Sequence, residues 1–188
     1  MQFRKSFLLT SSFWVVAAFA GVRADTQSVE DAPESSNKSA EIALHNRFIG
    51  TWDVSYEIYD KSGKVRHNLG QVTYSWIIKD QAIQEVWSGD SHSKEFLPYG
   101  ATIAFYDNKH QLWTEVWIYP DQGSTTIVSG RASNGRIVLT GRNIAGSLER
   151  WSTSDIQSNS FVSSFDVSED DGKTWRLVGV NHNTRHGV

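Results

Sequence analysis

Phe48-Ile49-Gly50-Thr51-Trp52-Asp53-Val54-Ser55-Tyr56-Glu57-Ile58-Tyr59 is the stretch on which the fold turns. Trp52, Val54, Tyr56 and Ile58 alternate with Asp53, Ser55, Glu57 and Tyr59, so a strand here has one apolar face and one mostly wet face. Gly50 lets the backbone turn tightly into that strand, and the Trp52 indole is large enough to plug one end of a closed sheet. The reading is therefore the first strand of a small β-barrel.

Working outward from it, almost everything downstream reads as strand, tight turn, strand. Strands are expected over 69–78, 82–88, 101–106, 112–119, 125–130, 136–142, 147–153, 160–167 and 174–181, with 89–99 as the longest loop. Residues 59–64 form a hairpin turn, and later turns carry Gly123, Gly135, Gly146 and Gly172, each where a positive φ is expected. About ten short antiparallel strands joined by hairpins predict an all-β, up-and-down antiparallel barrel, because closure removes the exposed edges. One turn invites a different reading. Ser168-Glu169-Asp170-Asp171-Gly172-Lys173-Thr174-Trp175 matches the Asp-box of sialidase propellers. It occurs once, in a chain too short for several four-stranded blades, and is read as a hairpin device with no glycosidase role.

Upstream of Gly50 the chain changes character. Residues 1–24 read as a cleaved secretory signal: Arg4 and Lys5, an apolar stretch from Phe7 to Ala20, then Val22-Arg23-Ala24 as cleavage site, with Ala18-Phe19-Ala20 as its rival. Residues 25–39 are rich in Ser, Asp, Glu and Asn and read as a flexible polar linker. Ser39 then caps a short helix over 40–47 that covers the barrel end beside Trp52, and 40–188 form one domain. Losing the signal removes three cations and no acids, moving the formal charge from −3 to −6. That balance argues against nucleic acid or an anionic membrane surface as partner. There is no cysteine, so an exported chain of this kind is held together by its core rather than by disulfides. The expected location is periplasmic or secreted, with no membrane attachment after cleavage.

Several of these segments together resemble a known family. Phe48-Ile49-Gly50-Thr51-Trp52, Ala82-Ile83-Gln84-Glu85-Val86-Trp87, Tyr106-Asp107 ahead of Trp113, Gly130-Arg131, Arg150-Trp151 and the closing Asp-Gly-x-Thr-Trp hairpin look like a bacterial domain family of unknown function. It belongs to the calycin-like barrels, relatives in fold of lipocalins and fatty-acid-binding proteins. The likeness covers most of the mature domain and brings no settled activity with it. A more distant likeness, to the haem-binding nitrobindins, rests on the small-residue-Trp opening and the strand count. It implies a proximal haem ligand late in the chain, where His182 stands between the polar Asn181 and Asn183.

The candidate site comes from a repeat. Glu85-Val86-Trp87, Glu115-Val116-Trp117 and Glu149-Arg150-Trp151 each place a carboxylate two residues before an indole. With a period of two, each Glu shares a face with its Trp, about 7 Å along the strand, and Trp113 joins the face of Glu115 and Trp117. Facing inward, these residues build an amphipathic lumen, the usual anatomy of a small-molecule site. Facing outward, each Glu sits in water and each Trp is half-exposed on the wall. An inward Glu needs a partner or a proton, and Arg131 is the first-choice partner, with Arg142, Arg150 and Arg176 behind it. The expected ligand contacts are Trp52, Tyr74, Glu85, Trp87, Trp113, Glu115, Trp117, Arg131 and Trp151. The expected ligand is a small apolar or aromatic molecule. An enzyme alternative, a lyase, isomerase or cyclase, uses Glu85 or Glu115 as acid/base, and a second alternative binds haem through His182. No metal or other cofactor is expected, since no histidine has zinc spacing with a further ligand. No nucleophile elbow, phosphate loop or dinucleotide fingerprint is present.

Overall fold

The computed structural model describes residues 32–90 and 96–188. The expected signal over 1–24, the linker through 31 and His92 lie outside the described residues. Helix α1 (Ala32–His45) runs into a 3-10 turn (Asn46–Phe48) and then the sheet begins. Its strands are β1 (Gly50–Tyr59), β2 (Val65–Ile77), β3 (Ala82–Asp90), β4 (Phe96–Asp107), β5 (Leu112–Tyr119), β6 (Ser124–Ser133), β7 (Arg136–Asn143), β8 (Leu148–Ser154), β9 (Ser160–Ser168) and β10 (Arg176–Arg185). Each pairs antiparallel with the next, and β1 closes the cylinder on β10, with Trp52 opposite Arg185 and Ile58 opposite Gly179. The all-β, ten-stranded, up-and-down barrel expected from the sequence is the architecture observed. Closure leaves no unpaired edge, and the hairpin turns follow their residues. Asn134 and Gly135, for instance, both have positive φ, +52° and +73°, as a two-residue turn matching strand twist requires.

Three boundaries differ from the sequence reading, each for a local reason. α1 starts at Ala32, so 32–39, expected as linker, are helical. Pro33 falls in the first turn, where no intrahelical donor is needed. Strands β3 and β4 also extend into the 89–99 region expected as loop. Pro98, which has no N–H to give, is accommodated there because the ladder shifts register between Trp87 and Ser88. Lastly, β10 is displaced toward the C-terminus because Asp170 holds the preceding turn out of the ladder. Its carboxylate accepts from the Thr174 amide at 2.8 Å, the Thr174 hydroxyl at 2.7 Å and the Ser168 hydroxyl at 2.8 Å. Trp175 donates from its indole to the Gly172 carbonyl at 3.1 Å, and the Arg150 guanidinium lies 4.3 Å from its ring centroid. The Asp-box is a turn clamp.

One end of the barrel is closed by aromatic packing. Trp52 is fully buried, donates to the Phe48 carbonyl at 2.6 Å and meets Phe161 edge-on at 4.7 Å. Helix α1 docks beside it through Glu41, which accepts from the Ala132 amide at 3.1 Å, and His45, which stacks on Trp113 at 3.7 Å. Arg185 ties this end together. Its guanidinium lies 4.0 Å from the Trp52 ring centroid and donates to the carbonyls of Ile49 (2.9 Å), Arg47 (2.7 Å) and Ser158 (3.2 Å). Arg185→Ala is expected to cost about 1–3 kcal/mol in urea unfolding, from lost carbonyl bonds and ring contact. Arg185→Lys is expected to recover little, because an ammonium cannot span the three carbonyls. An unchanged denaturation midpoint in Arg185→Ala would remove the clamp from this account.

Candidate functional site: an acidic, aromatic lumen

Above the plugged end lies a cavity of about 400 Å³. Strand parity decides what enters it. Ladder partners share a face, so Tyr74, Glu85, Thr102 and Trp117 form one inward row across β2 to β5, and Ala104, Glu115 and Val128 form the row beside it. Tyr74, Glu85, Trp87, Glu115, Trp117 and Trp151 all border the cavity. Gly100 makes room for one of them, since a Cβ there would meet the Trp117 ring at 2.3 Å.

Three of the expected contact residues do not reach the cavity. Trp52 and Trp113 lie beneath its floor, covered by Phe48 and by the His45 ring, which do border it. Trp113 is 1 % exposed, and its indole N–H lies next to the Glu41 carboxylate without closing a hydrogen bond. Arg131 faces outward, because Gly130 takes the inward position beside Trp113. Its guanidinium donates to the carbonyls of Gln111 (2.7 Å) and His110 (2.8 Å) on the exterior. The partner expected for the lumen carboxylates is therefore absent from the lumen. The fallbacks are engaged elsewhere or outside it: Arg142 bonds Asp171 at 2.7 Å, Arg150 bonds Asp166 at 3.1 Å, and Arg176 does not border the cavity.

The Glu-x-Trp repeat has a local chemistry of its own. In two copies the indole donates back to the carboxylate: Trp87 to Glu85 at 3.3 Å and Trp151 to Glu149 at 3.0 Å. Glu149 also accepts from Asn143 at 2.9 Å. In the third copy Trp117 instead packs edge-on against Trp87, Tyr99 and Tyr119, at centroid distances of 6.4, 6.2 and 6.0 Å. Glu115 is left with no hydrogen-bond partner among the described residues. Glu85 is 8 % exposed and Glu115 is half-buried.

Burial without a base raises both carboxyl groups. Desolvation pushes Glu85 up to about 7, only partly offset by the Trp87 indole and the Thr102 hydroxyl. Glu115 is raised well above the ordinary carboxylate range, by desolvation first and by the Glu85 charge second. Tyr74, enclosed beside both, is held far above the usual phenol range by burial and by those two charges. His45 is driven the other way, down to about 4 by burial, so the ring is neutral. Its Nδ1 donates to the Glu41 carbonyl at 2.9 Å. Burial thus favours the protonated form of Glu85 and Glu115, and Glu85 can exchange its proton near neutral pH.

Sequence reasoning missed Tyr56, Tyr99, Tyr119 and Phe161, which also border the cavity. Tyr56 and Tyr119 carried a signal, the parity of Trp52 and Trp117. Tyr99 had none, since its stretch reads as loop until the β3–β4 ladder is seen.

His182 faces outward and is exposed, while Asn181 and Asn183 take the inward positions. A haem in the lumen is out of its reach. The described residues hold no group of three or more His, Cys, Asp or Glu placed to bind a metal ion.

No family model and no curated protein matches this chain. Solved structures do. Rv2717c from M. tuberculosis matches with a TM-score of 0.57 at 12 % identity, covering 77 % of this chain and 96 % of its own. The S-type phycobiliprotein lyase CPES from Guillardia theta matches with a TM-score of 0.60 at 10 % identity, covering 82 % of this chain and 98 % of its own. At such identities the likeness is one of fold, and with the closed ten-stranded topology it fits the calycin-like barrel expected from the sequence.

Proposed function

We propose that this protein is an exported, soluble barrel that binds a small, largely apolar or aromatic molecule in its lumen. One observation carries the reading: a cavity of about 400 Å³ whose wall is mainly aromatic and aliphatic, with two unneutralised carboxyl groups inside it. A core built for stability alone has little reason to leave such a volume unfilled, because each empty site forfeits packing energy. Nor would it bury two carboxyl groups without a cationic partner. Small-molecule sites combine apolar walls with a few directional polar groups in this way. The export part rests on Arg4, Lys5, the apolar stretch to Ala20 and the Val22-Arg23-Ala24 site. It is checked by the N-terminus of protein recovered outside the cytoplasm, expected at Asp25.

A second reading puts chemistry in the same chamber. A carboxyl group held near pKa 7 gives up and takes back a proton at neutral pH, the property an acid/base catalyst needs. The similar barrel from Guillardia theta is named as a lyase, so Glu85 or Glu115 acting in a lyase, isomerase or cyclase is the alternative. Mass spectrometry of a captured ligand after incubation separates retention from conversion.

Lumen binding is tested with N-phenyl-1-naphthylamine, a neutral aromatic probe whose fluorescence rises on leaving water. The wild-type protein is expected to bind it, and Trp117→Ala to weaken binding about tenfold or more, since an aromatic anchor is lost. Ile127→Ala, on the outer wall and 52 % exposed, is the control and is expected to change nothing. Equal affinity in Trp117→Ala and wild type would place the probe elsewhere and contradict the reading.

A further inference from the structure

The charge inventory of the lumen narrows the class of ligand. Among the described residues the cavity is bordered by five acids, Glu57, Glu85, Glu115, Glu149 and Asp166, and by no lysine or arginine; by strand parity Glu57 and Asp166 face outward. Three of the five are already satisfied. Glu57 accepts from the Tyr59 hydroxyl, Glu149 from Asn143 and Trp151, and Asp166 is paired with Arg150. Glu85 and Glu115 are different. They share the wall with Tyr74 and Thr102, and only Glu85 has donors, the Trp87 indole at 3.3 Å and the Thr102 hydroxyl, neither of them charged. Glu85 is more than nine-tenths buried and directed into the cavity. What surrounds them are ring faces and edges: Tyr56, Tyr74, Trp87, Tyr99 and Trp117.

We propose that the lumen is built for an organic cation, a flat apolar body carrying an ammonium-type N–H group that seats against Glu85 and Glu115. This rests on the lumen-binding reading above and specifies its ligand. Aromatic faces attract cations through their quadrupoles, most strongly when water is excluded. Two carboxyl groups without a cationic partner supply the directional part, through charge-assisted hydrogen bonds that a neutral apolar guest cannot make. An anionic guest meets the opposite: no cation, and two groups that repel it once ionised. Of the other titratable groups on the wall, Glu57, Glu149 and Asp166 already accept hydrogen bonds from other side chains. His45 is neutral, and the Tyr56, Tyr74 and Tyr99 hydroxyls are held in the neutral form by burial.

Seating the cation has a proton balance. In the empty barrel at mildly acidic pH both carboxyl groups carry a proton. The ammonium keeps its own protons on binding, one carboxyl group loses its proton to solvent, and the pair formed is neutral overall. Affinity for the cation therefore rises with pH, from about pH 5 to about pH 8, and binding releases protons in that window.

The experiment compares three probes of one shape on the full mature protein: 1-naphthylmethylamine, 1-naphthylmethanol and 1-naphthoic acid, by calorimetry in two buffers of different ionisation enthalpy. The amine is expected to bind at least about tenfold more tightly than the alcohol near pH 8. The acid is expected to bind more weakly than the alcohol. The preference for amine over alcohol shrinks toward pH 5, and proton release accompanies the amine alone. In Glu85→Gln/Glu115→Gln, and in the milder Glu115→Gln should the double variant unfold, the amine's advantage falls to about threefold or less. Equal binding of amine and alcohol by the wild-type protein overturns the cation inference and leaves lumen binding standing. Binding of none of the three overturns both.

Discussion

Closing ten strands into one cylinder forces every second side chain of each strand into a single enclosed volume. Everything else in this protein depends on that constraint. In an open sheet, Glu85 or Glu115 has the choice of leaning into water; in a closed barrel their parity commits them. The same commitment sends Trp87, Trp117 and Trp151 inward with them and turns Arg131 and His182 out. The acidic and aromatic character of the lumen is the sum of those assignments, fixed strand by strand and held by the β1–β10 seam that closes the ring.

The two ends of the barrel use their aromatic residues for opposite purposes. At the plugged end Trp52, Phe48, Phe161 and Trp113 fill space, and Arg185 and α1 hold them in place. Several polar atoms there find backbone partners, the Trp52 indole a carbonyl, one Glu41 oxygen an amide and His45 a carbonyl, while the Trp113 N–H does not. Further along, the rings of Tyr56, Trp87, Tyr99, Trp117 and Tyr119 meet at tilted or edge-to-face angles around a cavity instead of filling it. The closed ladder and the packed floor hold the wall apart around that cavity, at a stability cost carried by the rest of the core.

Much of the barrel was legible because period-two alternation and glycine-bearing turns are local signals. They gave ten strands and the inward face of Glu85, Trp87, Glu115 and Trp117 before any pairing was known. What was not legible depends on contacts between distant segments. Arg131 read as a lumen cation because its type fits a carboxylate, yet β6 presents Gly130 inward and leaves Arg131 to the β4–β5 turn. Trp52 and Trp113 share the right parity, but α1 and the 3-10 turn place His45 and Phe48 between them and the cavity. Tyr99 joins the wall only because β3 and β4 pair through a stretch rich in turn formers. The helix over 32–39 hid in polar composition that resembles linker. Side-chain type and spacing say which face a residue takes; they do not say what another segment lays over it.

The central claim is electrostatic: the barrel encloses carboxyl groups that keep their protons at a pH where ordinary glutamates have lost theirs. Carbon-13 NMR of the glutamate side-chain carboxyl carbons across a pH titration reads this directly, with Glu85→Gln and Glu115→Gln assigning the signals. The account predicts that the Glu85 carboxyl titrates near 7 and the Glu115 carboxyl well above its ordinary value of 4.5. If both titrate with the exposed glutamates near that ordinary value, the lumen is open to water and the account is contradicted.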